Sequence, residues 1–407
     1  MAIENITAAV DLGTSDIVVL VAEMDADGKV YVIGHGSHPS EGVRRGVVVD
    51  MDKTVASIKK AVADAALVSG TEIDRVTVGI AGEHIRSINS HGVVAVSRTD
   101  NEITQADVDK ALEAARSVAI PVDREIIHVI PQEFSVDDQR GIKDPIGMSG
   151  VRLEVEAHLV TASIATARNI YRAFERCHLD VDNIVLESLA LEETLLTDEQ
   201  IDYGVVIVDI GAELTGISVF FDGAIRHTAV IPLGSKNITN DVAIGLRATI
   251  EQAEKLKINY GAALASLVNP EEMVMVESAG GRGPREISRH VLASIVEPRV
   301  EEILSLAVRE IKRANAGEML TGGLVLSGGG ALLAGTVELA EQMMDMPAQR
   351  GEVKYYEHIP DSLNTISHAT ALGLALYGFN NEPMKGGGSG RMRRLLRKFE
   401  QWITKKF

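Results

Sequence analysis

The sequence predicts an α/β protein built from two related halves, and three observations carry that prediction. Apolar runs of period two or of continuous character alternate with amphipathic stretches through most of the 407 residues, as they do where helices cover a sheet. The opening ITAAVDLGTSDIVVLV (6–21) returns as YGVVIVDIGAELTGISVFF (203–221), so Asp11 and Asp209 lie 198 residues apart, about half the chain. A repeat of that period suggests a duplicated unit. The stretch LVLSGGGALLAG (324–335) then reads as strand, Gly-rich loop and helix.

Taken in order, residues 6–21 form two strands joined by a tight Gly-containing turn, residues 52–69 have helical spacing, and DRVTVGIAG from 74 is a strand. The segment 84–162 has its own rhythm. Strand-like HIRSINSHGVVAVS, helical TQADVDKALEAARSV and the strand-like stretches REIIHVIPQEFSV and VRLEVEAHLVT make a small inserted β-α-β-β subdomain. Thr104 and Asp107 are placed to cap its helix. Beyond the repeat, SAGGRGPRE (278–286) is a Gly/Pro-rich break before a long helix from His290 to Ala314, in which Pro298 marks a start or a kink. NNEPMKGGGSG (380–390) is a flexible linker.

Composition narrows the function classes. Hydrophobic residues at 45% and charged residues at 24% suit an ordinary soluble protein. Cys177, the one cysteine, excludes an intramolecular disulfide, and no apolar run approaches the ~20 residues of a spanning helix. With no signal-peptide pattern at the start, the expectation is a soluble cytosolic chain. The net charge is −18, yet residues 391–407 carry seven Lys or Arg against Glu400, which leaves −24 on the rest. A body of that sign disfavours nucleic acid, so no nucleic-acid partner is expected.

The two Asp-x-Gly hairpins suggest chemistry. A Gly-containing turn aims several backbone N–H groups at one point and lets an anion come close. An aspartate at the end of the preceding strand can hold Mg²⁺ through its waters. Asp11 and Asp209 on facing hairpins would therefore grip a polyphosphate from both sides. Gly328, Gly329 and Gly330 would admit an adenosine, with Glu254 and Lys257 of EQAEKLKINYG reaching the ribose and base. ATP and Mg²⁺ are the expected cofactors.

At these residues the chain resembles the actin/Hsp70/hexokinase ATPase superfamily, and within it the FtsA family of bacterial cell-division proteins. The resemblance runs from about residue 6 to the C-terminus. It rests on GVRRGVVVD, HVIPQEF, GIKDPIGMSGVRLEVEAHLVT, AIRHTAVIPLG, GPREISRHVLASIVEPRVEEI and the basic tail. It implies a duplicated actin-like ATPase fold, two RNase H-like halves around a nucleotide cleft. The implied divisions are a first core of 1–83 with 163–190, the insertion 84–162, a second core of 191–237 with 312–379, a subdomain 238–311, the linker 380–390 and the tail.

By resemblance, Asp11, Gly13, Thr14 and Ser15 form the first phosphate turn, and Asp209, Gly211 and Thr215 the second. Glu187 stands where some relatives place a water-activating acid. The family's DIGGGTTD reads DIGAELTG here, and Asp16 replaces a commonly basic residue. Both changes put carboxylates near the expected triphosphate, where like charges repel, so ATP binding with slow or absent hydrolysis is expected. The resemblance also implies head-to-tail filaments and binding of the acidic C-terminal peptide of FtsZ, the tubulin-like division protein. The receiving surface is expected on 238–311, where Arg285, Arg289 and Arg299 make a positive cluster, and later division proteins are expected at 84–162. The alternatives are a kinase or Hsp70-like foldase on the same fold, or a scaffold of the pilus-assembly or rod-shape class.

The tail RMRRLLRKFEQWITKKF holds the one tryptophan. On a helical wheel Met392, Leu395, Leu396, Phe399, Trp402, Ile403 and Phe407 share a face, and Arg393, Arg394, Arg397 and Lys398 lie away from it. A basic amphipathic helix with Trp and Phe on its apolar side suits an anionic membrane surface, and with it the FtsA resemblance implies a peripheral place on the cytoplasmic face of the inner membrane at the division site. The competing reading is a tail docked on the acidic body. The eleven histidines show no metal-ligand spacing, and His128, His158 and His227 are expected as hydrogen-bonded strand residues, Cys177 as a buried helix residue and EQMMDM as core packing.

Overall fold

The computed structural model describes residues 5–97, 100–277 and 283–381; the tail expected as a membrane helix, 391–407, and nearly all of the linker lie outside the described residues. In the first sheet, Asn5–Leu12 pairs antiparallel with Asp16–Met24, and that strand with Val30–Pro39. Arg75–Ile80 and Asp180–Leu186 extend the other edge in parallel. The second sheet repeats the plan: Val205–Ile210, Thr215–Phe221 and Ala224–Ile231 form the antiparallel meander, and Leu324–Ser327 and Ala348–Arg350 add the parallel edge. The half-chain repeat is thus a repeat of topology.

Strand Val205–Ile210 is apolar on both faces up to Asp209. Val205 and Ile207 face the first half's core while Val206, Val208 and Ile210 face the second's, and a strand buried on both faces has no polar side. Helix Met51–Ser69 starts at Asp50, whose carboxylate accepts from the Lys53 amide, and stops at Gly70 in the left-handed conformation. It lays Val55, Ile58, Ala61 and Ala65 on the first sheet.

The insertion forms a sheet in the order Arg86–Ala95, Arg152–Ser163, Arg124–Val136, Gln139–Ile142. The short last strand, a hairpin return through Gly141, adds to the expected β-α-β-β. Helix Gln105–Arg116 covers the sheet and opens on a reciprocal Thr104–Asp107 capping box. The insertion leans on edge strand Ala224–Ile231: Gln132 Nε2 donates to the Ile225 carbonyl at 2.8 Å, and His158 shares hydrogen bonds with Asn89 and Thr228. His227 meets Glu310, and His128 Nε2 accepts from the Leu186 amide.

Three expectations change. The chain returns to the first half near its end, because Tyr356–His358 joins the first sheet and helix Ala369–Asn380 packs in the first core, so the second core stops short of residue 379. Helix Arg289–Arg313 runs through Pro298, so of the two readings of that proline, start or kink, the start is excluded. Cys177 lies half-buried just past helix Ile164–Glu175, not within it.

Candidate functional site

A cleft of about 740 Å³ lies where the two halves meet, and both Asp-x-Gly turns line it. Asp11 and Asp209 are each the penultimate residue of their strand, so the duplicated register delivers both carboxylates to the same level of the cleft. Glu187 joins them from the first position of helix Glu187–Leu195, immediately after the parallel strand that flanks the first sheet. Three acidic groups from three strand ends converge on one place.

Their electrostatics follow from that convergence. Burial, then the charges of Asp209 and Asp16, push Asp11 up to about 7. Burial raises Asp209 to about 6, with the Ser327 hydroxyl opposing. Glu187 rises well above the carboxylate range through burial and then through Asp11 and Asp209. Three carboxylates that resist ionising together make a site short of positive charge.

The turns themselves are shaped for close approach. A Cβ on Gly13 would sit 2.5 Å from the Asp16 carbonyl oxygen, so the first turn closes only around glycine. Gly328 has φ of +80° and its backbone lies against the Ile210 carbonyl, while Gly329 faces open space. Gly13, Thr14, Ser15, Gly211 and Gly328 to Gly330 all line the cleft. The residue set fits a magnesium-bound polyphosphate: two Gly-containing turns at the cleft for the anion, and Asp11 and Asp209 for a hydrated cation. Among the described residues no three His, Cys, Asp or Glu side chains converge closely enough to hold a metal ion directly, and the expected role of the two aspartates runs through water.

Several expected residues are placed differently. Thr215 is fully buried and its hydroxyl donates to the Leu233 carbonyl at 2.8 Å, so it is not among the cleft residues. Lys257 reaches the cleft wall, but its ammonium lies within reach of the Ser235 carbonyl, the Thr239 hydroxyl and Glu254 at 2.8 Å. Lys257 therefore positions Glu254, which also accepts from Thr239. Arg299 is held by Asp241 and Glu302, and Arg285 donates to the Leu246 carbonyl. Arg289 donates to the Tyr260 carbonyl and to Glu272 and lines the cleft. The expected positive cluster is instead three arginines bound to acceptors of their own chain.

Glu213 also departs from expectation. Ala212 and Leu214 line the cleft, but Glu213 turns away and accepts from the Arg45 backbone amide at 2.9 Å and from Lys236 Nζ at 3.2 Å. Lys236 Nζ in turn donates to the Thr14 carbonyl at 3.0 Å. Glu213 and Lys236 belong to the second half, Arg45 and Thr14 to the first, so the substituted turn clasps the two halves together. Sequence reasoning misses the clasp because residue order does not say which turn faces which; Lys236, directly after the Gly-Ser of PLGSKN, is the available signal. Asp16 does line the cleft, as expected.

Paired hairpin-and-parallel sheets closing on a shared cleft define a protein of the actin-like class. Solved structures agree on the fold: the PilM–PilN type IV pilus biogenesis complex matches at a TM-score of 0.67 and 16% identity over 93% of this chain and 99% of that one. MreB5 of Spiroplasma citri, in a structure bound to ADP, matches at 0.56 and 12% identity over 92% and 95%. Residues 82–161 match the model of the SHS2 domain inserted in FtsA, and residues 206–373 that of cell division protein FtsA. The FtsA of Pseudomonas aeruginosa is 44% identical over 91% of this chain and 89% of its own length, that of Neisseria meningitidis 40% over 98% of each, and that of Escherichia coli K12 35% over 98% and 96%. The chain belongs to the FtsA family of cell-division proteins.

Proposed function

We propose that the chain is an ATP-binding, filament-forming adaptor that tethers FtsZ to the cytoplasmic face of the membrane at the division site. The observation that carries the nucleotide half is the meeting of Asp11, Asp209 and Glu187 in a cleft lined by two Gly-containing turns. Asp11 and Asp209 hold the magnesium waters, Gly13, Thr14, Ser15 and Gly211 take the phosphates, and Gly328 to Gly330 with Glu254 take the adenosine. Magnesium supplies the positive charge that lets the three carboxylates and the phosphates share the cleft. Glu187 orients water, and hydrolysis is slow or absent, since Asp16 adds negative charge to the same cleft.

Closure of the halves leans on the Glu213 clasp. Glu213→Ala removes an acceptor from the Arg45 amide and from Lys236, a loss of about 1 kcal/mol or roughly fivefold in closing. A stopped-flow chase of a fluorescent ATP analogue is expected to give about fivefold faster release; an unchanged rate refutes the clasp.

Residues 391–407 are the membrane contact. Each Lys or Arg near an anionic leaflet is worth about 1 kcal/mol, and one such helix binds modestly. Filaments present many tails together, which raises apparent affinity by roughly 10²–10⁴. No helix of the described residues is long and apolar enough to cross a membrane. The FtsZ peptide is received on 238–311, where Arg285 remains exposed, and later division proteins on the insertion. Co-sedimentation with anionic liposomes tests the tether: the full chain pellets more with ATP than without, and a 1–390 truncation stays in the supernatant. Equal pelleting of monomer and polymer, or of the truncation, contradicts it.

A further inference from the structure

A second crevice, of about 610 Å³, opens between the inserted subdomain and the two cores, outside the nucleotide cleft. Helix Gln105–Arg116 and the 143–146 loop form one wall, residues 189–202 and 223–225 the other, and Tyr377, Asn380 and Asn381 close it. Among the described residues its lining has six carboxylates, Asp109, Asp144, Glu192, Glu193, Asp198 and Asp202, against Lys143. Between them the floor is apolar, with Leu112, Val129 and Pro131 half-buried and Ile146 exposed. An apolar floor under an acidic rim is the complement of a basic amphipathic segment.

We propose that residues 391–407 of the same chain dock in this crevice when no lipid is present. The chain's own geometry selects that occupant. Asn381, the last described residue, is part of the crevice wall, so the tail leaves from the site it would fill. The intervening residues 382–390 reach about 30 Å when extended and about 16 Å on average as Gly-rich coil. The tail brings Leu395, Leu396, Phe399 and Trp402 for the floor and seven basic groups for the rim. A tether of that length sets an effective concentration on the order of 1 mM, so an intrinsic Kd of ~0.1 mM already keeps the crevice about nine-tenths filled.

Docking makes the tail self-limiting. A tail free one-tenth of the time binds lipid with about tenfold lower apparent affinity, which keeps monomers off the membrane while filaments overcome the deficit by avidity. This competition rests on the membrane reading above; the docking does not.

Trp402, the single tryptophan, reports the docking without a label. In the full chain at low salt and without lipid, its emission is expected to be blue-shifted, shielded from acrylamide and independent of protein concentration. Asp109→Lys with Asp144→Lys, both exposed positions, should move the emission to that of a water-exposed indole with the far-UV circular dichroism unchanged. The same double variant should bind phosphatidylglycerol–phosphatidylcholine vesicles about tenfold more tightly. Adding Arg393→Glu and Arg394→Glu to that variant restores shielding by exchanging the charges. An indole already water-exposed in the unaltered chain, shielding that persists in D109K/D144K, or shielding that grows with concentration each overturn the proposal. If shielding responds as stated but neither the unaltered chain nor D109K/D144K binds vesicles, docking stands and the membrane reading falls.

Discussion

Asp209→Asn stabilises the nucleotide-free protein at pH 8 and, in the same molecule, weakens Mg·ATP binding about 10–100-fold. The first effect follows from the raised carboxylates. A group with a folded-state pKa of about 6, above its unfolded value near 4, favours folding only while protonated. That contribution is present below about pH 4 and is lost as pH rises through 6, because the unfolded chain releases its proton more readily. Two pKa units correspond to roughly 3 kcal/mol, and an amide of the same shape carries no such charge. The melting difference between D209N and the unaltered chain should therefore be small at about pH 3, about half developed at pH 5, and level off above about pH 6. The second effect follows from the lost support of the cation's waters, a change that costs 10–100-fold in comparable sites. Calorimetry with and without Mg·ATP reads both. A variant less stable than the parent at pH 8, or one that binds Mg·ATP as well, contradicts the shared-charge account. In the unaltered protein, Mg·ATP affinity should likewise strengthen from pH 5.5 to 8 as Asp11 and Asp209 ionise.

Gly373→Val is expected to lower the first thermal transition by about 5–10 °C, although helix propensity argues the other way. Replacing glycine within a helix normally gains up to about 1 kcal/mol. Here a Cβ would fall 1.9 Å from the Ala190 carbonyl oxygen, so helix Ala369–Asn380 touches helix Glu187–Leu195 backbone to backbone. Overpacking a closed interface costs about 1–3 kcal/mol or more, which exceeds the propensity gain. Because Glu187 opens the displaced helix, nucleotide affinity should fall as well. A melting temperature that rises, as propensity alone predicts, would show that the helices separate at no cost.

Much of this architecture is legible before any coordinates. The VDLG and VDIG repeats tell of duplication because a strand ending in a tight anion-binding turn needs the same few residues each time. The Thr104–Asp107 pair marks its helix start because capping is local chemistry, satisfied within four residues. The short strand Gln139–Ile142 escapes notice, since QRGI has one apolar side chain, Ile142, and shows no alternation. Thr215 is misplaced for a related reason: its position in the motif is right, but the Leu233 carbonyl that takes its hydroxyl comes from another strand end.

Residue order determines whatever depends on neighbours along the chain: the alternating elements, the two acidic turns, the glycine loop and the basic tail. The folded molecule decides every contact between segments far apart in sequence. Glu213 looks like a charge aimed at phosphate until Arg45 and Lys236 claim it, and Lys257 like a ligand-binding group until Glu254 and Thr239 do. The final helix looks like the end of the second half until Gly373 meets Ala190. For Glu213 and Gly373 the deciding partner lies more than a hundred residues away, and only chain folding in three dimensions sets which distant groups share a desolvated space.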